Sequence, residues 1–330
     1  MAQENLHLQE QLVWLLKVSR SLLATRDIDE LLVLITDAFI ELTHADRCFV
    51  MLKDPTTGFL MQRMARTADR TPTPGPETRL QALMTRVFSE AHPIYVTDAA
   101  TGGSTAGSSQ KMVVCMPLGN NADPCGVLYA DGTADAQRPF TQPAAEILAD
   151  HAAAALENAR LFERATNDPL TGLPNSSYFL LQLAKVVQEA HGDAPAGLLL
   201  LDLDRFKRVN LAAGAEAGDR ALIDIANTLQ DVLRADGLVA RYGSDKFAVL
   251  LPPETGSSVV LRLRDVSERA RAAVGTKTFH GVRLSVCIGG VAFPSAATPT
   301  PSPGDLVALT DDILAKARAR GPGEIEIAAP

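Results

Sequence analysis

The stretch RYGSDKFAVL, residues 241–250, constrains the chain more than any other. Aromatic and aliphatic residues alternate along it, and Gly243, Ser244 and Asp245 interrupt the alternation. That pattern predicts a strand, a sharp turn carrying an acid and a second strand: a buried hairpin with polar groups presented at its tip. A second apolar run, AGLLLLDLD, reads as a strand that ends in Asp202, Leu203 and Asp204. Residues far apart in sequence converge at strand ends, so Asp202 can meet Asp245. Two carboxylates so placed can hold magnesium, which organises phosphate oxygens and stabilises charge during phosphoryl transfer.

Composition limits the alternatives. With 330 residues, 46% of them hydrophobic, the chain holds enough apolar material for two ordinary domains. Lysine and arginine number 31 against 39 acids, a net charge of −8, so it lacks the broad positive field that nonspecific nucleic-acid binding needs. Cys48, Cys115, Cys125 and Cys287 have no metal-ligand spacing and read as buried, reduced thiols. His44, His92 and His280 define no cluster, and Asp98 and Asp131 read as loop acids rather than metal ligands. The start, MAQENLHLQEQLVWLLKVSRSL, has no basic lead into an apolar core, and no run approaches the roughly 20 apolar residues that cross a bilayer. The expectation is a cytoplasmic protein without a transmembrane segment.

Along the chain, amphipathic helices are expected through LQEQLVWLLKVSRSLL and IDELLVLITDAFIELT, then strands at RCFVML, PIYVTD, MVVCMPL and CGVLYAD, with TADRTPTPGPET as a loop. PFTQPAAEILADHAAAALENARLFERATND reads as a long helix toward a second module, with apolar positions suited to pairing in a homodimer. The second module shows helices near YFLLQLAKVVQEA and DRALIDIANTLQDVL. Its strands fall near AGLLLLD, LVARYG, KFAVLL and VRLSVCIGGVAF, SAATPTPSPGD is a loop before the last helix, and GPGEIEIAAP closes with a turn and a short strand.

At this point a resemblance becomes specific. Residues 168–326 resemble a GGDEF domain, the diguanylate cyclase family. DPLTGLPN opens the match, LDLDRFKRVN follows, Gly218 and Asp219 supply a GD pair, and RYGSDKF occupies the signature hairpin. The first module more loosely resembles a GAF sensory domain through its helix pattern, MVVCMPL and GVLYAD. The implied fold is α+β: a GAF-like sensory and dimerisation domain over 1–155, a helical linker over 156–167 and a degenerate GGDEF nucleotide-cyclase-like domain over 168–330, joined by a signalling helix.

The resemblance also implies roles. Asp202, Asp245 and the carbonyl of Leu203 match metal ligands, so the implied cofactor is magnesium with GTP. Asn210 and Asp219 match guanine-recognition residues, Lys207 a phosphate contact, Arg241 a phosphate or structural contact, and Arg318 a phosphate-binding lysine. The backbone from Asp204 to Lys207 can offer N–H groups to terminal phosphates. The departures are equally specific. Ser244 stands where the family has a second glycine, Lys246 where it has a carboxylate, Ser176 where it has an arginine, and Pro322 where it has a cation. Lys246 changes the local charge by about two units, opposes a nearby magnesium and can pair with Asp202 or Asp245, yet it can keep an attraction for phosphate. The Ser244 side chain can either replace a water or block phosphate by its bulk, so Lys246 and Ser244 both remain candidate nucleotide contacts. In the product-inhibition region, Arg234, Asp236 and Gly237 read as a damaged RxxD motif, with Asp236 one place short of the expected acid.

The expectation is therefore a non-catalytic, dimeric signalling protein whose distal domain binds a guanine nucleotide or a protein partner, with cyclic di-GMP a weaker candidate. The alternatives are a diguanylate cyclase that joins two GTP molecules and a purely structural scaffold. In the first module a packed regulatory unit is preferred over a ligand-sensing pocket.

Overall fold

The computed structural model describes residues 2–97, 111–119, 123–133, 142–256, 258–294 and 302–328. Asp98 and most of the proline-rich loop before the last helix lie outside the described residues. The chain divides into two units, Met1–Phe162 and Glu163–Pro330. Among the described residues, no helix is long and apolar enough to cross a membrane.

In the first unit, helices α1 (Ala2–Ala24) and α2 (Ile28–Thr43) precede strands β1 (Arg47–Lys53) and β2 (Leu60–Thr67). Then follow α3 (Thr78–Glu90), β3 (Ile94–Thr97), β4 (Lys111–Leu118), β5 (Gly126–Thr133) and α4 (Gln142–Thr166). Asp27 caps α2 by accepting a hydrogen bond from the Glu30 N–H, so the helix begins where the IDELL pattern places it. The five strands order as β2-β1-β5-β4-β3, with antiparallel pairing throughout. Side-chain alternation along β1 sends Cys48, Val50 and Leu52 into a core with α1, α2 and α4, and sends Phe49 and Met51 to the other face with Met84 and Val87 of α3. Residues of α4 through Ala159 belong to that first core, so the helical stretch read as a linker from 156 begins within the first unit's packing.

The second unit contains α5 (Ser176–Glu189), β6 (Ala196–Asp204), α6 (Phe206–Ala213), α7 (Ala215–Leu233), β7 (Leu238–Arg241) and β8 (Lys246–Leu251). It continues with α8 (Val259–Gly275), β9 (Thr278–Phe279), β10 (Val282–Arg283), β11 (Ser285–Phe293), α9 (Pro303–Arg320) and β12 (Ile325–Ala328). Its main sheet runs β12-β11-β6-β8-β7, antiparallel except for the parallel β11–β12 pair. Strand β6 is central. Leu199, Leu201 and Leu203 pack toward α7 and α8, while Leu198 and Leu200 pack with Phe179 and Leu183 of α5 and Leu314 of α9. Burial on both faces explains why its sequence is a continuous apolar run rather than an alternation. The architecture is α+β in both units.

The sequence reading did not place β2, α3, α8 or the short β9–β10 hairpin. Strand β2 and helix α3 of the first unit fall on either side of the segment read as loop, and α8 fills the gap between KFAVLL and VRLSVCIGGVAF.

Candidate functional site

The hairpin forms as its alternation predicts. Strand β7 ends at Arg241, β8 begins at Lys246, and the N–H groups of Tyr242 and Gly243 both donate to the Lys246 carbonyl to close the turn. Arg241 holds the tip from below. Its Nε donates to the Gly243 carbonyl at 3.2 Å, one terminal nitrogen to the Ser244 carbonyl at 2.9 Å, and the other to Asp168 Oδ1 at 2.8 Å. Of the phosphate or structural contacts read for this guanidinium from sequence, the structure shows the structural ones, made to the turn and to Asp168.

The opening DPLTGLPN motif is the other half of that support. Asp168 Oδ1 also accepts from the backbone N–H and hydroxyl of Thr171, at 2.9 and 2.8 Å. Gly172 adopts φ +71°, a conformation that glycine enters without a Cβ penalty. Asn175 then caps α5 by accepting from the Tyr178 N–H, and the Arg241 N–H donates to the Pro174 carbonyl. Burial acts to raise the Asp168 carboxyl, but the donors from Arg241 and Thr171 together outweigh it and hold the group below the usual carboxylate range.

The end of β6 lies against the hairpin. Leu203 N–H donates to the Asp245 carbonyl at 3.1 Å, and Asp202 is the register partner of Lys246 across β6 and β8. The Asp245 carboxylate accepts from the Ser244 hydroxyl at 2.8 Å. Two cations meet this acidic end, and both involve α9. Arg318 donates to Asp202 Oδ2 at 2.9 Å. Lys246 reaches Asp311 at 2.8 Å, so the pairing with Asp202 or Asp245 read from sequence is replaced by one with a helix residue. Asp311 and Arg318 are seven residues apart, two helical turns, which sets them on the same face of α9. Burial pushes the Asp202 carboxyl above its ordinary value; Arg318 and Lys246 pull it down, Asp245 and Asp204 push it up, and the net shift is upward.

Asp204 shares the Asp202 face but has another task. It accepts from the Ser285 hydroxyl at 2.6 Å, the Cys287 thiol at 3.2 Å and the Gly323 N–H at 2.8 Å, tying β6 to β11 and to the turn before β12.

The guanine-recognition candidates lie on α6 and α7. Asn210 and Asp219 are both exposed, and a Cβ built on Gly218 would stand 1.8 Å from Asn210 Oδ1, so glycine at 218 is what lets the amide lie over the start of α7 beside Asp219. Lys207 is exposed in the first turn of α6, which starts immediately beyond Arg205 at the end of β6.

Arg234, Asp236 and Gly237 lie before β7, at the opposite end of that strand from the turn. Asp236 pairs with Arg269 of α8 at 2.7 Å and is thereby committed within the fold. A Cβ at Gly237 would stand 2.1 Å from the Leu250 carbonyl oxygen, so the backbone here excludes the acid that the resemblance would place at 237. Arg234 is exposed.

Sequence reasoning missed Asp311, Asp168, Thr171 and Ser285 as partners of the site. The DPLTG pattern carried a usable signal, since aspartate before a threonine and glycine commonly accepts from backbone N–H groups in a turn. Nothing in the sequence pointed to Asp311 as the partner of Lys246.

In the first unit a cavity of about 880 Å³ opens on the α3 side of the sheet, lined among others by Arg47, Leu80, Leu83, Met112, Tyr129 and Asp131. Asp131, read as a loop acid, is on β5, paired with Arg47 at 2.6 Å and accepting from the Tyr129 hydroxyl at 2.8 Å. Cys48, Cys115 and Cys287 are buried, and burial pushes the thiols of Cys115 and Cys287 up to about 12 and about 11. They are thus disfavoured as thiolates. Among the described residues, no group of three or more histidine, cysteine or acidic side chains is placed to hold a metal ion.

Residues 165–324 match the family described as diguanylate cyclase, GGDEF domain, and residues 27–159 match the GAF domain. Diguanylate cyclase TpbB of Pseudomonas aeruginosa is 37% identical over 173 residues, covering 50% of this chain and 38% of the relative. Response regulator PleD of Caulobacter vibrioides is 33% identical over 163 residues, 48% of this chain and 35% of the relative. Cyclic di-GMP phosphodiesterase PdeB of Shewanella oneidensis is 32% identical over 171 residues, 51% of this chain and 19% of the relative. The chain thus spans well under half the length of these relatives. Among solved structures, the GGDEF domain of TpbB from Pseudomonas aeruginosa is 32% identical, with 49% of this chain and 94% of that one covered at a TM-score of 0.43.

Proposed function

Since the chain is a GAF domain followed by a GGDEF-family domain homologous to diguanylate cyclases, we propose that its distal unit binds a guanine nucleotide as a signalling module and does not turn it over at a cyclase's rate. The observation that carries this is the ammonium of Lys246, the register partner of Asp202, bound to Asp311 while Arg318 occupies Asp202. The donors at this end of the sheet do not suit a divalent ion as they stand: Asp202 is taken by a guanidinium, and its register partner is an ammonium-bearing residue rather than a third carboxylate. Recognition falls to Asn210 and Asp219. A carboxylate accepts from the N1–H and amino group of guanine, and an amide donates to ring acceptors, which together favour guanine over adenine. In this reading two copies of the chain associate through the apolar positions of the first unit's helices, and the bound state is read by a signalling protein.

A second reading is favoured by the relatives' names, several of which are diguanylate cyclases. There Asp202, Asp245 and the Leu203 carbonyl would hold magnesium, which would supply charge stabilisation at the transferring phosphate; Asn210 and Asp219 select the base, and Lys207 steadies the phosphates. The presence of the same domain in a relative named as a phosphodiesterase makes the shared fold compatible with either role.

Calorimetric titration of the 330-residue chain with GTP, followed by product analysis of the same mixture, separates the readings. We expect saturable binding, weakened at least about tenfold by Asp219→Ala through loss of a charged hydrogen-bond acceptor, with no cyclic dinucleotide formed. Cyclic product that disappears in Asp245→Ala would install the cyclase instead, and absence of any guanine-nucleotide binding would leave a scaffold.

A further inference from the structure

We propose that the distal site holds the triphosphate of a guanine nucleotide without a divalent cation, with Lys246 and Arg318 supplying the positive charge from side chains. This rests on the nucleotide-binding reading above and goes beyond it in naming how the charge of the ligand is met.

The charge count at the sheet end makes the case. Asp202, Asp245 and Asp311 are faced there by Lys246 and Arg318, and a fourth carboxylate nearby, Asp204, is already held by Ser285, Cys287 and the Gly323 N–H. A triphosphate approaching carboxylates is repelled unless cations intervene, and a divalent ion would supply two positive charges. These two side chains carry the same total. They also stand in the way of such an ion, since each is bonded to, or in register with, the carboxylate it would need.

Both cations can serve a phosphate from where they are. The Lys246–Asp311 pair is largely solvated on the aspartate side, with 54% of the Asp311 side chain exposed, so the ammonium can be drawn to an incoming phosphate at little cost. Arg318 has 54% of its side chain exposed and bonds Asp202, at 5% exposure, through one terminal nitrogen. Its remaining N–H groups have no partner among the described residues. A guanidinium held on one edge by a buried carboxylate, with its other donors open, suits phosphate oxygens in a planar geometry. The carboxylate then acts as the anchor of a cation rather than as a metal ligand.

The proposal makes an unusual demand for a nucleotide site: affinity for GTP must not depend on magnesium. The full chain is titrated with GTP in EDTA and in magnesium, and separately with manganese chloride alone while free manganese is followed by electron paramagnetic resonance. The expected result is GTP affinity equal within about threefold in the two buffers, a steep loss of affinity with added salt, and no saturable manganese site. Lys246→Met should weaken GTP binding in EDTA at least about fivefold, with circular dichroism confirming the fold; Lys246→Glu should make GTP binding magnesium-dependent and create a manganese site. If either variant fails to fold, the two wild-type titrations still decide. GTP binding that requires magnesium, or manganese retention abolished by Asp202→Asn, overturns this inference while leaving the nucleotide reading intact. Absence of GTP binding in both buffers overturns both.

Discussion

Asp168 and Asp202 each face one arginine at almost the same distance, 2.8 Å to Arg241 and 2.9 Å to Arg318, yet the fold pushes their carboxyls in opposite directions. The difference lies in what else each one meets. Asp168 collects donors from Arg241 and from the Thr171 backbone and hydroxyl on a single oxygen. Asp202 is more deeply buried, receives a single side-chain donor and has other carboxylates nearby. An arginine contact alone therefore does not decide the state of an acid; the full set of donors weighed against burial does. The first arrangement builds a turn. The second leaves a buried charge with fewer donors and with like charges close by.

Removing the two arginines breaks this comparison most directly. Arg241→Ala strips the tip of the hairpin of bonds to the Gly243 and Ser244 carbonyls and leaves Asp168 short of its partner in a mostly buried position. We expect a loss of about 3 kcal/mol in denaturant unfolding of the second unit. Arg241→Lys should recover little of it, because an ammonium cannot span the same acceptors. A loss below about 0.5 kcal/mol would mean that the turn holds without its support. Arg318→Ala removes one contact from a half-exposed side chain, and its expected cost is about 1 kcal/mol, from leaving Asp202 without its donor. If the order of these two effects were reversed, the distinction between a well-satisfied acid and a poorly satisfied one would fail.

How far the sequence already disclosed this contrast depends on the range of the interactions. The RYGSDKFAVL hairpin and strand β6 were readable because alternation and continuous apolarity are local consequences of half-buried and fully buried strands. Helix α2 was readable through the amphipathic pattern of IDELLVLITDAFIELT, and the structure adds the cap at Asp27. Strand β2 was not, since Met61, Gln62 and Arg63 are successively exposed and mask any alternation. Helix α8 carries buried Val259, Leu263, Val266, Ala270 and Val274 at helical spacing, and the arginines between them in sequence lie off that face and lower the local apolarity. At the site, the acids were legible by position and their partners were not. Asp311 lies 65 residues from Lys246, and the packing of α9 against β11 and β6 brings them together. The close passage of Gly237 under the Leu250 carbonyl was equally hidden, because it depends on the β7–β8 register.

The smallest expected effect sharpens the comparison furthest. A carboxyl whose pKa is raised by folding favours the protonated state in the native protein. Its contribution to stability is fully present below the ordinary carboxylate value and is lost as pH rises through the raised one. Asp202 therefore adds a falling limb to the stability of the second unit just above the usual carboxylate range. Asp168, held low, does the reverse: its stabilisation is present above the ordinary value and is lost as pH falls through the lowered one. Asp202→Asn should leave stability near neutral pH unchanged or raised by less than about 1 kcal/mol, since the amide keeps a hydrogen-bond acceptor for Arg318 and gives up a buried charge. It should flatten the limb belonging to Asp202, while the acid limb belonging to Asp168 persists and is removed by Asp168→Asn. The measurement is urea unfolding of both variants across pH 3 to 8 beside the parent chain. A clear loss of stability in Asp202→Asn at neutral pH would mean that Arg318 satisfies the carboxylate after all, and that the acid at the end of β6 is as settled as the one beneath the turn.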